Sequence, residues 1–357
     1  MENGITHDAS HPVEPTPSTR DPELVSVDEY VRKFQNWRLG GESFGSPGGE
    51  EGLELRMQMP KSDFIGFSEI LDVGDDEKFL KVLFNALTSL LIIQHMPIPI
   101  HEKVISTVLE GFNLARSSLP IPLHQSIAIV YNQKFLSFKH GYNGSRKVPD
   151  TMVQVDNATG TLEIKFLWEV GYAETYDDLV WDARMWLEGT DTVSVVMLVK
   201  MNEDPAYQNP TPRLTDDEFD NQEFPPSEEV SQEHFSLDEV HGPTCYKGLR
   251  WVGKITGSTE IWKRDPTSHL AICTFGRKNH LNADNTTYIL FHLSDVMDVS
   301  FEENHHVRFD LGLFHRKLGA YIRELAVEQC GAALEAREGR ANVLDRDFQP
   351  SPAAGFT

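Results

Sequence analysis

Residues 161–171 constrain this chain more than any other stretch, because they alternate over the length of a full strand. Leu162, Ile164, Phe166, Trp168 and Val170 fall on one side, and Glu163, Lys165, Leu167, Glu169 and Gly171 on the other. The period of two predicts one core face and one face that carries charge. Upstream, Pro149-Asp150 leads into residues 151–155, which end at the turn-forming run Asn157-Ala158-Thr159-Gly160, so the two segments read as a hairpin. Downstream, Thr175 and Asp178 have the spacing of a capping box, and Leu179, Ala183, Trp186 and Leu187 supply the apolar stripe of a helix that stops at Gly189. Residues 193–199 are then apolar and rich in β-branched side chains, as in a central strand covered on both faces. A strand, a helix and a central strand in this order require a crossover. The expected fold is α/β (α+β), a mixed central sheet flanked by helices.

The rest of the chain is read around that unit. Residues 1–22 are rich in Pro, Ser, Thr and acids, without periodicity, and are expected to be a disordered tail. Residues 23–60 read as a short helix, opened by Ser26 and Glu29, and a Gly-rich linker over 40–52. Residues 61–202 and 241–336 form the single folded domain, and 337–357 a tail. Helical spacing of Leu80, Leu83, Phe84, Leu87, Leu90 and Leu91 predicts a helix over 76–94; Val104, Ile105, Val108, Leu109 and Phe112 predict another over 102–117. A last helix is expected over 311–335, and residues 126–131 and 135–138 read as a strand pair.

Charge bears most on function. The 357 residues carry a formal net charge of −23. Residues 203–240 hold twelve acidic residues against one arginine, so this stretch alone contributes −11. With only scattered apolar residues, it reads as an acidic mobile insertion. Lys134, Lys139, His140, Arg146 and Lys147 form the one basic concentration near Asp150, able to meet a phosphate backbone or to lie solvated in a loop. Three cysteines without CxxC spacing indicate neither a disulfide framework nor a zinc knuckle. No targeting peptide is recognisable, and the most apolar run, 87–93, is too short to span a bilayer. An intracellular protein, cytoplasmic or nuclear, with no membrane attachment is the expectation.

The run Pro149-Asp150, then Phe166 through Glu174, Leu179, Asp182-Ala183-Arg184, Trp186-Leu187 and 195–200 resembles a large family of uncharacterised fungal proteins. That family is in turn similar to the PD-(D/E)XK nuclease superfamily, the restriction-endonuclease-like fold. The likeness is good over residues 149–200 and looser at Trp251-Val252-Gly253 and Leu293-Ser294-Asp295. The resemblance implies that Asp150 and Glu169 hold a divalent cation, Mg²⁺ or Mn²⁺, with the backbone carbonyl of Val170 as a third ligand, for hydrolysis of a phosphodiester in nucleic acid. The lysine usual two residues after the glutamate is replaced by Gly171. A Glu-x-Lys triplet at Glu163-Ile164-Lys165 makes Lys165 the candidate helper, although such triplets are common and Asp76-Glu77-Lys78 also fits.

Two functions follow. One is a metal-dependent nuclease in which Asp150 and Glu169 raise one another's pKa until a cation binds. The other is a non-catalytic interaction or scaffold protein with the same fold, binding a protein partner or a second copy of itself; a charge of −23 favours it. Carboxylates close together in an open cleft support the enzyme, and separation or occlusion supports the scaffold.

Overall fold

The structure, a computed structural model, describes residues 26–38, 54–73, 80–95, 99–131, 133–157, 159–172, 174–279, 288–297, 299, 306–310 and 312–344. The tail over 1–22 and the linker over 40–52 lie outside the described residues. In order the elements are α1 (Val27–Arg38), β1 (Glu54–Gln58), α2 (Lys61–Val73), β2 (Leu80–Asn85), β3 (Leu90–His95), α3 (Pro99–Ser117), α4 (Ile121–Gln125), β4 (Ile127–Val130), β5 (Thr151–Asp156), β6 (Leu162–Gly171) and α5 (Tyr176–Glu188). After these come β7 (Val195–Asp204), α6 (Asp216–Asp220), β8 (Ser236–Leu237), β9 (Thr244–Tyr246), β10 (Leu249–Val252), β11 (Lys254–Arg264), β12 (Ala271–Asn279), β13 (Tyr288–His292), β14 (His306–Asp310) and α7 (Gly312–Leu344). The molecule is mixed α/β, as expected, and no helix among the described residues is long and apolar enough to cross a membrane.

A six-stranded mixed sheet in the order β12-β11-β7-β6-β5-β4 forms the centre. β6 and β7 are parallel, joined through α5, and their neighbours are antiparallel. From Phe166 onward the alternation read in the sequence sorts β6 onto two cores, whereas Ile164, beyond a register shift, falls in the core of Leu167 and not in that of Phe166. Phe166, Trp168 and Val170 pack with Val104, Val108 and Phe112 of α3 and with Leu318, Ile322 and Leu325 of α7. Trp168 meets Phe112 edge to face at 5.3 Å between ring centroids. Leu167 instead joins Leu179, Ala183, Trp186 and Leu187 of α5. The second face of β6 is therefore covered by α5 rather than solvated, which encloses Glu169. The capping box of Thr175 and Asp178 is formed.

Four sequence readings are corrected. Residues 80–95 are a β-hairpin, not part of a helix: Val82-Leu83-Phe84 and Leu91-Ile92-Ile93 are continuous apolar runs, and a turn with Ser89 at φ 54° separates them. The leucine spacing that imitates a helix arises because the two runs sit on either side of that turn. β1, which follows the stretch read as linker over 40–52, pairs with β3 and completes a three-stranded sheet with that hairpin. This sheet, α1 and α2 share a core of their own around Phe64, Phe67, Phe84, Leu91 and Ile93. Next, β4 pairs with β5, whereas Phe135 makes only a single bridge, to Lys147.

Third, residues 203–240, read as a mobile insertion, are folded: Glu203 and Asp204 end β7, and the remainder packs against the body. Val230 and Phe235 are buried, Phe224 lies edge to face on Trp251, and the Tyr207 hydroxyl donates to the Gln329 carbonyl of α7 at 3.3 Å. Arg337 holds the Thr211 carbonyl at 2.8 Å and Asp216 at 2.7 Å, with its guanidinium over Phe219. These anchors occur singly between 3₁₀ turns, so no periodicity reveals them. Fourth, α7 continues to Leu344, into the stretch read as tail.

Candidate functional site

The register of β5 on β6 pairs Thr151 with Trp168, so one step outward sets Asp150 opposite Glu169. Directly opposed residues of an antiparallel pair share a face. Asp150 and Glu169 are therefore brought together near the C-terminal end of β6, and both are buried, Glu169 at 1% exposure.

Each carboxylate is already engaged. Asp150 Oδ1 lies 2.7 Å from the Lys81 ammonium on β2. Its Oδ2 accepts from the Val170 backbone N–H at 2.7 Å and stands 3.4 Å from Nε2 of His101 on α3. That same Nε2 donates to the Val170 carbonyl at 2.9 Å. Glu169 Oε1 accepts from Nε1 of Trp186 at 2.6 Å and lies 3.5 Å from the Lys147 ammonium. Lys147, wholly buried, is 2.6 Å from Asp182 of α5. Glu174, also buried, accepts from Gln94 of β3 at 3.1 Å.

The electrostatics follow from burial and neighbours. Burial penalises the charged Asp150, but the adjacent Lys81 and His101 outweigh it and hold the carboxyl well below the usual carboxylate range. Glu169 moves the other way: burial, reinforced by the charge of Asp150, overrides Lys147 and raises its pKa to about 8. Burial likewise lifts Asp182 to about 6 against the pull of Lys147. His101 loses to burial but gains more from Asp150, and titrates near 9, so it is an imidazolium at neutral pH. The expectation that two close carboxylates raise each other therefore holds for Glu169 and is reversed for Asp150. Asp150, Glu169, Glu174 and Asp182 together outnumber Lys81, Lys147 and His101 by one charge. A proton on Glu169 closes the balance.

The oxygens of Asp150, Glu169 and the Val170 carbonyl are hard donors of the kind Mg²⁺ or Mn²⁺ takes. Their arrangement does not fit either ion, because Lys81 and His101 occupy Asp150, Lys147 and Trp186 both lie on Oε1 of Glu169, and His101 caps the Val170 carbonyl. Among the described residues no group of three His, Cys, Asp or Glu side chains is arranged to hold a metal ion.

Lys165 is not part of this centre. It pairs with Glu163 at 2.7 Å, four residues from Glu169 and so about 13 Å along the strand. The basic concentration also dissolves: Arg146 and Lys147 are buried, and Lys139 pairs with Asp191. Gly171 has a packing reason. A Cβ there would lie 2.7 Å from Leu179 Cδ1, on a fully buried leucine. Gly171→Ala is expected to cost about 1–3 kcal/mol by overpacking, read as a lower melting temperature; an unchanged value would mean that α5 is not seated as described.

Lys81, His101 and Asp182 were legible only in part. Asp182 lies three residues after Leu179 and four before Trp186, and His101 three before Val104, so both are polar residues on an apolar helical stripe. Lys81 was hidden when its hairpin read as a helix. Comparison with protein-family profiles, with curated proteins and with solved structures finds no match to this chain.

Proposed function

We propose that this chain is a non-catalytic interaction protein built on a restriction-endonuclease-like core, whose acidic centre is neutralised by its own cations. The observation that carries the reading is the occupation of the Asp150, Glu169 and Val170 oxygens by Lys81, Lys147 and His101 in a buried setting. The restriction-endonuclease-like reading draws support from the Asp150–Glu169 register and the β6-α5-β7 crossover.

A phosphodiester needs an accessible centre and cationic surroundings, and here the cations nearest the carboxylates face inward. The exposed chemistry is acidic instead. Eleven of the twelve acidic residues in 203–240 are exposed on a folded scaffold, which suits a basic protein surface better than nucleic acid. Partner binding through this face would weaken steeply with salt.

Incubating the purified chain with single- and double-stranded DNA and RNA in Mg²⁺ or Mn²⁺ tests the reading. No cleavage above that of an Asp150→Asn/Glu169→Gln double variant is expected. Metal-dependent cleavage that these substitutions remove would establish the nuclease instead. The opposed carboxylates with two nearby lysines are the observation on that side.

A further inference from the structure

Lys247 stands beside the acidic face without pairing to it. It occupies the two-residue turn between β9 and β10, where Tyr246 and Leu249 pair across the hairpin. Both turn residues have positive φ, 51° at Lys247 and 73° at Gly248. Such a turn favours Asn, Asp or Gly at its first position, and a lysine there carries backbone strain. Twelve acidic residues lie in 203–240, yet among the described residues the Lys247 ammonium pairs with none of them. Its neighbours are two rings. It lies 5.8 Å from the centroid of Phe224 and 5.6 Å from that of Tyr246, within the range over which an aromatic face attracts an ammonium.

Both rings are held from behind by the core. Phe224 meets Tyr246 edge to face at 5.7 Å, and meets the buried Trp251 of β10 in the same way at 6.2 Å. Tyr246 packs on the buried Phe235 at 5.3 Å and stacks with His234 at 5.1 Å. The planes of Phe224 and Tyr246 stand at 72°, so the two rings form a notch. Its rim is acidic: Glu223 directly precedes Phe224, Glu233 directly precedes His234, and both carboxylates are exposed.

Arg337 shows what a permanent occupant of such a ring looks like. Its guanidinium lies 4.2 Å from the centroid of Phe219 and also holds Asp216 and the Thr211 carbonyl, which makes it an anchor of the fold. Lys247 has the rings alone. Its stem is flexible and the adjoining Gly248 is exposed, so the ammonium can leave the notch without breaking a hydrogen bond.

We propose that the notch of Phe224 and Tyr246 receives a lysine side chain from a basic segment of a partner protein, and that Lys247 is its resident occupant, displaced on binding. The acidic residues of 203–240 attract the segment, and the notch selects one ammonium from it. This rests on the reading of an interaction protein whose acidic face meets a basic surface.

The test measures binding of a fluorescein-labelled octalysine peptide to the full chain by fluorescence anisotropy, at low and at high salt. Two substitutions remove the same charge and differ in what they leave over the rings. Lys247→Met keeps a side chain of about the size of the lysine stem there, whereas Lys247→Asn is too short to cover them and suits the positive φ of the turn. Lys247→Asn should bind octalysine about threefold to tenfold more tightly than Lys247→Met, the worth of a cation over an aromatic face. Adding Phe224→Leu to Lys247→Asn should return the affinity to that of Lys247→Met, and salt should weaken all variants in parallel. Equal affinities of Lys247→Asn and Lys247→Met overturn the notch and leave the acidic face as a diffuse attractor. A double variant that keeps its melting temperature and still binds as tightly as Lys247→Asn overturns it as well. Where the leucine lowers the melting temperature, the comparison of Lys247→Asn with Lys247→Met decides, because neither substitution touches the core. Absence of salt-dependent octalysine binding by every variant would defeat the notch and the acidic-face reading together.

Discussion

Replacing Lys147 with methionine lowers the free energy of unfolding by about 3–5 kcal/mol, the range found when one member of a buried ion pair is removed. The ammonium lies 2.6 Å from Asp182 Oδ2 and 3.5 Å from Glu169 Oε1, with no exposed side-chain surface. Methionine is close to the volume of the lysine stem, so the cavity contribution is small and the loss comes from stranded carboxylates. Adding Asp182→Asn to Lys147→Met should recover part of the stability, because the remaining buried group is then neutral. Urea denaturation of wild type, both single variants and the double variant gives the coupling energy directly. A loss below about 1 kcal/mol for Lys147→Met would mean that the pair behaves as a solvated one, and the closed centre would be wrong.

Lys147 also shows how far the sequence could be read. The capping box at Thr175 and the apolar run before Lys200 are short-range signals present in the fold, whereas the strand parity read over 161–171 holds from Phe166 to Val170 and breaks at Ile164, which joins the core of Leu167. The opposition of Asp150 and Glu169 needs more than parity and the turn at 157–160: an unbroken ladder would set Asp150 opposite Trp168, and the register shift between Val153 and Gln154 moves its partner to Glu169. The meaning of that opposition was not legible, because the groups that decide it arrive from far along the chain. Lys81 reaches Asp150 across 69 residues, and its hairpin imitated a helix. Lys147 reads as a loop lysine in sequence, since nothing local says that its loop turns inward beneath α5. The acidic segment failed for another reason. Its composition is that of a solvated loop, and its few anchors, Val230, Phe235 and Phe224, act one at a time against α7 and β10 rather than as a periodic face.

Stability should fall steadily from about pH 4.5 to pH 9. Glu169 has its pKa raised from 4.5 to about 8, by burial first and by Asp150 second. The folded state therefore holds a proton that the unfolded chain releases above 4.5, and the stabilisation present below that value is lost as pH rises towards 8. Asp182, raised from 3.8 to about 6 chiefly by burial, acts in the same direction at lower pH. His101 carries the decline onward: held to about 9 from 6.5 by Asp150 against the opposing effect of burial, it stabilises fully below 6.5 and ceases to do so as pH passes 9. Asp150 has the opposite sign. Lys81 and His101 lower its pKa despite burial, so its contribution exists above 3.8 and disappears in acid. The optimum should thus lie near pH 4–5, with a loss on the order of several kcal/mol by pH 9, at about 1.4 kcal/mol per pH unit for each group titrating in its window. Self-repulsion of a chain at −23 deepens the same slope. Urea midpoints measured across this range check the sign, and Glu169→Gln isolates its source: it should flatten the curve between 4.5 and 8 while leaving the His101 limb above 7 intact. Wild-type stability that rises from pH 5 to 8, or a Glu169→Gln curve parallel to wild type, would show that Glu169 is ionised in the fold and that the centre holds more positive charge than Lys81, Lys147 and His101 provide.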